Sequence, residues 1–165
     1  MGKKSNIYRI YIAFSAIAVG LCIYLIDRHP DTVYLIPHEL SLNDKTGSVF
    51  GIIGNFLPTF LHVYIFIIFT AVLFSESRRQ IIIICLSWML IDSLFEIAQI
   101  DFIAIHIAEN TSSWFTGIPL LENTSDYFLL GTFDFADLIS ILAGTFTAYI
   151  TIIFTNGEPE NVVHT

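Results

Sequence analysis

The sequence predicts an all-α membrane protein, a bundle of four transmembrane helices with both termini in the cytoplasm (N-in/C-in). Three observations carry that expectation. Apolar residues make up 55% of the 165-residue chain and charged residues only 13%, about half the roughly 25% usual in soluble domains. The charges are clustered, leaving four apolar runs of about 20 residues each, long enough to cross a ~30 Å hydrocarbon core. Five of the seven lysines and arginines (Lys3, Lys4, Arg9, Arg78, Arg79) fall where an N-in topology places cytoplasm, and only Arg28 and Lys45 fall outside. The same arithmetic excludes a soluble enzyme and a nucleic-acid binder, since a chain of net charge −8 has no basic stripe to displace counterions.

The chain reads as a single membrane domain over 1–165, with spans at about 7–26, 55–75, 81–106 and 135–154 and outer loops at 27–54 and 107–134. The first run, Ile7 to Ile26, follows Lys3 and Lys4 and has no A-x-A cleavage site after it. It is therefore expected to be a retained signal-anchor helix rather than a signal peptide. Pro30, Pro37 and Gly47 break the polar connection that follows, and the Gly-rich stretch Val49 to Gly54 either dips into the interface or extends the next helix. The second span is expected to begin at Asn55 as its N-cap, with Pro58 in the first turn. The third run starts at Ile81 and stays apolar to about Ala108, roughly 42 Å of helix at ~1.5 Å per residue, so it must tilt or stand partly in the headgroups. Trp114, Phe115, Gly117, Pro119 and Tyr127 suggest an interfacial loop with a short surface helix. The last span opens at Phe135 and stops at Asn156-Gly157. Cys22 and Cys85 each lie in an apolar run, outside any CxxC pair, and are expected to be free and inert.

Lipid gives helices no hydrophobic reason to associate, so close approach at small residues has to supply one. Ala16 and Gly20 in the first span, and Ser140, Gly144 and Ala148 in the last, have the four-residue spacing for it. These faces suit packing inside the bundle or docking of a partner subunit.

The polar residues inside the spans are the candidate site. Asp92, Glu96, Gln99 and His106 follow one face of the third run if that run is one continuous helix. His62 lies roughly 10 Å below the outer surface counted from Asn55 at ~1.5 Å per residue, and Asp134 and Asp137 enter from the same side. Asp101 lies off the stripe near the outer surface, and Asp92 reaches deepest. A carboxylate at the bilayer centre costs at least ~2.5–3.5 kcal/mol, and no lysine or arginine is expected within a span to pair with these groups. Carboxylates this close are expected to share a proton. The functional reading is a polar cavity open to the outer face. The structural reading is a set of interhelical hydrogen bonds, with Asp134 and Asp137 capping a helix N-terminus.

Other motifs point nowhere. His29, Asp31, His38 and Glu39 match no metal framework, and there is no P-loop, G-x-S-x-G or embedded lysine, so no cofactor or metal is expected. The sequons at Asn110 and Asn123 fall in the second outer loop and are best explained by chance.

The stretch Phe95-Glu96-Ile97-Ala98-Gln99, followed by Phe133-Asp134-Phe135-Ala136-Asp137-Leu138 and Gly144, resembles the VanZ-like family of small membrane proteins. That family tends to end one helix with E-x-x-Q and to open its last with F-D-x-x-D-L. Gly131 or Thr132 stands where the family carries an arginine, and Ile141 where it carries an asparagine. The resemblance covers about 50 residues and implies a bacterial plasma membrane and the cell envelope, without a defined reaction. Taken with the polar cluster, the expectation is an outer-leaflet pocket for a polar headgroup or envelope precursor. Glu96, Gln99, Asp134 and Asp137 would line it, with His62 as a proton partner and Asp92 deeper. The alternative is a non-catalytic accessory subunit of a larger membrane complex, with the bilayer and other membrane subunits as its partners.

Overall fold

The computed structural model describes residues 3–27, 41–42, 49–75, 77–118 and 121–156. Among them are six α-helices: α1 (Lys3–Asp27), α2 (Gly51–Phe74), α3 (Arg78–Ile97), α4 (Asp101–Glu109), α5 (Thr124–Leu130) and α6 (Phe135–Thr155). Two 3₁₀ turns, Ser113–Phe115 and Leu121–Asn123, lie between α4 and α5. Helices α1, α2, α3 and α6 are long and apolar enough to cross a membrane, and the described residues contain no strand. The protein is an all-α, multi-pass membrane bundle.

Both ends of the described chain meet at one end of the bundle. The Ser5 hydroxyl donates to the Thr155 carbonyl, and the Asn6 amide to the Val72 carbonyl at 3.4 Å. This terminal end therefore gathers the start of α1, the end of α2, the start of α3 and the end of α6. The opposite, far end carries the connections to α4 and α5. Charge is segregated along the same axis. From Asp27 and Asp92 through Asp137, every described charged residue of the far half is acidic, whereas Arg9, Arg78 and Arg79 lie at the terminal end.

Helix α2 is the hub, packing on α1, α3 and, most extensively, α6. Its Val63, Tyr64, Ile67, Ile68 and Ala71 meet Ile141, Ala148 and Ile152 of α6, Ala13 of α1, and Ile81 and Cys85 of α3. The buried positions of α6 (Ile141, Gly144, Thr145, Ala148, Ile152) recur at helical spacing and form one face. The small residues there let the backbones close. A Cβ built on Gly144 would lie 2.6 Å from the Phe60 carbonyl oxygen and 2.6 Å from Val63 Cγ1. Gly20 is looser, its Cβ meeting only Leu61 Cδ1 at 3.7 Å. Ala16 and Ser140 are half-buried, and the Ser140 hydroxyl is spent on the Ala136 carbonyl. Interhelical hydrogen bonds add to the packing: Trp88 Nε1 donates to Thr70 Oγ1 at 2.9 Å, and the Tyr64 and Thr151 hydroxyls pair at 3.2 Å. Cys22 is exposed and Cys85 buried, and both are free.

Several elements differ from the sequence expectation. Helix α2 starts at Gly51, not Asn55, so Val49 to Gly54 mostly extends the helix. Its cap comes from another helix: the Asp27 carboxylate accepts from the Val49 and Phe50 N–H groups at 2.6 and 2.9 Å. Gly51 begins the helix at φ +53°, a conformation that an L side chain resists. Pro58 is consequently eighth in the helix, where it removes the bond that would reach the Gly54 carbonyl. The third span ends at Ile97 instead of running to 106. The N–H groups of Gln99 and Ile100 bond three residues back, Ile100 turns extended, and α4 starts afresh. A capping box opens α3, with the Ser77 hydroxyl accepting from Gln80 N–H and Gln80 Oε1 from Ser77 N–H.

Arg9 is the largest departure. Its expected place was the cytoplasmic flank, with no cation inside a span. It is fully buried against the end of α6. Its guanidinium donates to Thr155 Oγ1 at 2.8 Å, the Ile152 carbonyl at 2.8 Å and Asn156 Oδ1 at 2.7 Å, with Asn6 Oδ1 at 3.4 Å.

Candidate functional site

The acidic residues of the far end converge where α3 finishes and α6 begins. Asp92 and Glu96 are four residues apart on one face of α3, and both are buried toward the bundle interior. Helices α3 and α6 run antiparallel, which brings the last turn of one beside the first turn of the other. There the Glu96 carboxylate accepts from the backbone N–H of Asp134 at 2.8 Å. Asp134 is the N-cap of α6, its own carboxylate accepting from Ala136 N–H at 2.9 Å. Three carboxylates, those of Glu96, Asp134 and Asp137, thus share one helix N-terminus, whose partial positive charge offsets part of their repulsion. Asp137 differs from the other two. Its Oδ1 is buried and accepts no hydrogen bond.

Gln99 and Tyr127 border this cluster. The side chain of Gln99 lies flat over Gly131, where an added Cβ would stand 2.5 Å from Oε1 and 2.7 Å from Cδ. Tyr127, on α5 outside the spans, has its phenol pushed above the ordinary range. Tyr127 is about half exposed, and the partial burial of its phenol is the main cause; the negative charge of Glu96 adds to it, and contact with the Gln99 amide opposes it. It therefore stays a protonated phenol. Helix α5 is held over the site by rings: Phe128 is buried and stacks on Phe95 at 6.0 Å, while Tyr127 meets Phe95 edge-on at 6.3 Å.

The structure does not gather every expected residue. His62 joins Asp92 and not the Glu96 group, with Nδ1 3.3 Å from Asp92 Oδ2. It stands eleven residues into α2, roughly 16 Å from its start at ~1.5 Å per residue, because that helix begins earlier than expected. Its side chain is 57% exposed on the outside of the bundle and rests edge-on against Phe66, so the pair links an outward-facing imidazole to an inward-facing carboxylate. The break after Ile97 takes His106 off the stripe. It is exposed on α4, in contact with Asn110. Asp101 is exposed in the first turn of α4.

Sequence reasoning missed three parts of the site. The Asp134 N–H and the flat Gly131 surface are backbone features, and the sequence marks Tyr127 only as an interfacial aromatic. Gly131, two residues before the F-D-x-x-D that starts at Phe133, is the one available signal. Among the described residues no group of histidine, cysteine and carboxylate side chains has the geometry to hold a metal ion, while His29, Asp31, His38 and Glu39 lie outside those residues. Chemically, the cluster is an acceptor-rich, partly enclosed site that suits a proton, an ammonium or another hydrogen-bond donor. Comparison with family models, curated proteins and solved structures finds no match for this chain.

Proposed function

We propose that the protein is a VanZ-like component of a bacterial plasma membrane, and that its acidic far-end pocket recognises the donor-bearing headgroup of an outer-leaflet lipid or envelope precursor. In this reading Glu96, Asp134 and Asp137 accept from an ammonium or hydroxyl group, and Gln99 and Tyr127 set its orientation. The pairing of His62 with Asp92 offers a route for the displaced proton to the outside of the bundle. The observation that supports the reading is Asp137 Oδ1, a buried carboxylate oxygen without a donor beside a second buried carboxylate. A purely structural cluster is expected to satisfy its acceptors, because leaving one unmade costs about 1–3 kcal/mol, more for a charged group. The charge segregation agrees, since positive-inside insertion puts the acidic end outside.

The test is Glu96→Gln and Asp137→Asn, each nearly isosteric, followed by growth under envelope stress and by melting of the purified protein. Normal assembly with loss of the growth phenotype supports the pocket. Variants that melt and grow like the parent refute it. The accessory-subunit reading has its own support in α1, which packs well only on α2 and leaves Ala16 and Gly20 half-exposed. Gentle purification separates the two, because an accessory subunit comes out with stoichiometric partners.

A further inference from the structure

At the terminal end, away from the acidic pocket, α3 and α6 leave an open apolar groove of about 280 Å³. Ile82, Leu86 and Met89 of α3 form one wall, and Leu142 and Phe146 of α6 the other. Leu86, Leu142 and Phe146 are more than half exposed. Tyr149 closes the terminal end of the groove, and the Arg78 guanidinium donates to the Tyr149 hydroxyl through Nη2 at 3.0 Å and Nε at 3.2 Å. Two of the five guanidinium N–H groups are thereby used. No described carboxylate pairs with Arg78 or with exposed Arg79. A second polar group belongs to the groove. Thr145, nine-tenths buried in its wall, has a hydroxyl without any hydrogen-bond partner.

We infer that this groove binds one anionic glycerophospholipid of the leaflet at the terminal end, with its phosphate on Arg78 and Arg79 and an acyl chain along the α3–α6 wall. The dimensions fit. From Arg78 to Met89 is roughly 16 Å of helix at ~1.5 Å per residue, close to the ~15 Å depth of one leaflet of a ~30 Å core. Thr145 lies one turn, roughly 6 Å, deeper than Tyr149, at the level of the ester linkages below a phosphate, and a χ1 rotation lets it donate to an ester carbonyl. Charge selects the occupant over a neighbouring helix. The polar groups of the groove lie toward its terminal end and, among the described residues, the charge beside it is positive, which matches an amphiphile with an anionic head. The site is independent of the far-end pocket and stands whether or not that pocket binds a headgroup.

The experiment uses the full chain in nanodiscs with phosphatidylglycerol or phosphatidylcholine carrying a photoactivatable acyl chain, and maps the crosslinks by mass spectrometry. Phosphatidylglycerol should label Leu86, Leu142 and Phe146 about thirtyfold more than phosphatidylcholine does, the ratio that ~1 kcal/mol from each of the two basic residues gives. Arg78→Gln should cut the preference between the lipids to about fivefold, what Arg79 alone supplies, and Leu86→Trp, which fills the groove from an exposed position, should remove the labelling of Leu142 and Phe146 by both. Equal labelling by the two lipids in the unmodified protein, or labels spread evenly around the bundle, overturns the inference whatever the variants do.

Discussion

Replacing Gly144 by alanine tests whether α2 and α6 are held by backbone contact. The new Cβ would stand 2.6 Å from the Phe60 carbonyl oxygen and from Val63 Cγ1, where ordinary contact begins near 3.4 Å. Because one of those atoms belongs to the backbone, side-chain rotation cannot relieve the clash, and the helices must part locally by about 0.8 Å, the difference of the two distances. A gap of ~0.5–1 Å forfeits a quarter to a half of the dispersion attraction of the atoms concerned, and this is the most extensive interface in the bundle. Overpacking of this kind costs about 1–3 kcal/mol, against a gain of up to ~1 kcal/mol from the better helix propensity of alanine. The expected net loss is up to about 2 kcal/mol on those figures, with the whole ~1–3 kcal/mol showing against a glycine-to-alanine control that has room for its Cβ. Gly20→Ala is the matched control, since its Cβ meets only Leu61 Cδ1 at 3.7 Å and should be neutral or stabilising. Both variants would be unfolded by SDS titration from mixed micelles with helicity as the readout. Equal midpoints for the two variants would show that the close approach at Gly144 contributes nothing.

Arg9→Leu should lose about 1.5–3 kcal/mol, because the Ile152 carbonyl and the Asn156 side chain lose a charged donor, and Arg9→Lys should recover only part of that without the planar fork. The same SDS titration measures both. Asp134→Ala should cost about 1 kcal/mol through loss of the α6 N-cap, and amide exchange of Ala136 should speed up before that of the helix centre. Gly131→Ala should leave α3 and α6 intact but displace Gln99, seen as a changed ring current on Tyr127, and an unchanged spectrum argues against the packing. The Tyr127 phenol is held above its ordinary value of 10.0 in the folded protein, so stability should fall as pH rises through and beyond that value. Tyr127→Phe should flatten this alkaline loss in a melting series.

The spans were legible because lipid imposes a length and an apolarity that single residues cannot hide. The last helix, opening at Phe135, is the clearest case: it starts within F-D-x-x-D, and Asp134 is the expected type of cap. What escaped was set by tertiary contact. Nothing in Ala98-Gln99-Ile100 breaks a helix by propensity, and the break coincides with the Gln99 side chain lying over Gly131 from a distant segment. The start of α2 was misjudged because its cap, Asp27, sits on another helix, where a local search for Ser, Thr, Asp or Asn at the N-cap cannot find it. In the site, spacing placed Asp92 and Glu96 on one face, but their partners came from α2 for one and a backbone N–H of α6 for the other. Arg9 was misplaced because topology counting treats a basic residue near a helix end as a solvated flank.

The burial of Arg9 also bears on how the bundle is made. Its partners on and just beyond α6 lie 143 to 147 residues later in the chain. A ribosome delivers α1 first and α6 last. In the interval the guanidinium lacks the acceptors that make its burial tolerable, and its long stem can hold the charge at the interface water. Helix α1 can then rest against α2, but its first turns cannot seat. A chain cut short before α6 keeps a hydrated cation where the finished protein has none. Delivery of α6 and closure of the bundle are thereby the same event, and the arginine reports whether that helix has arrived.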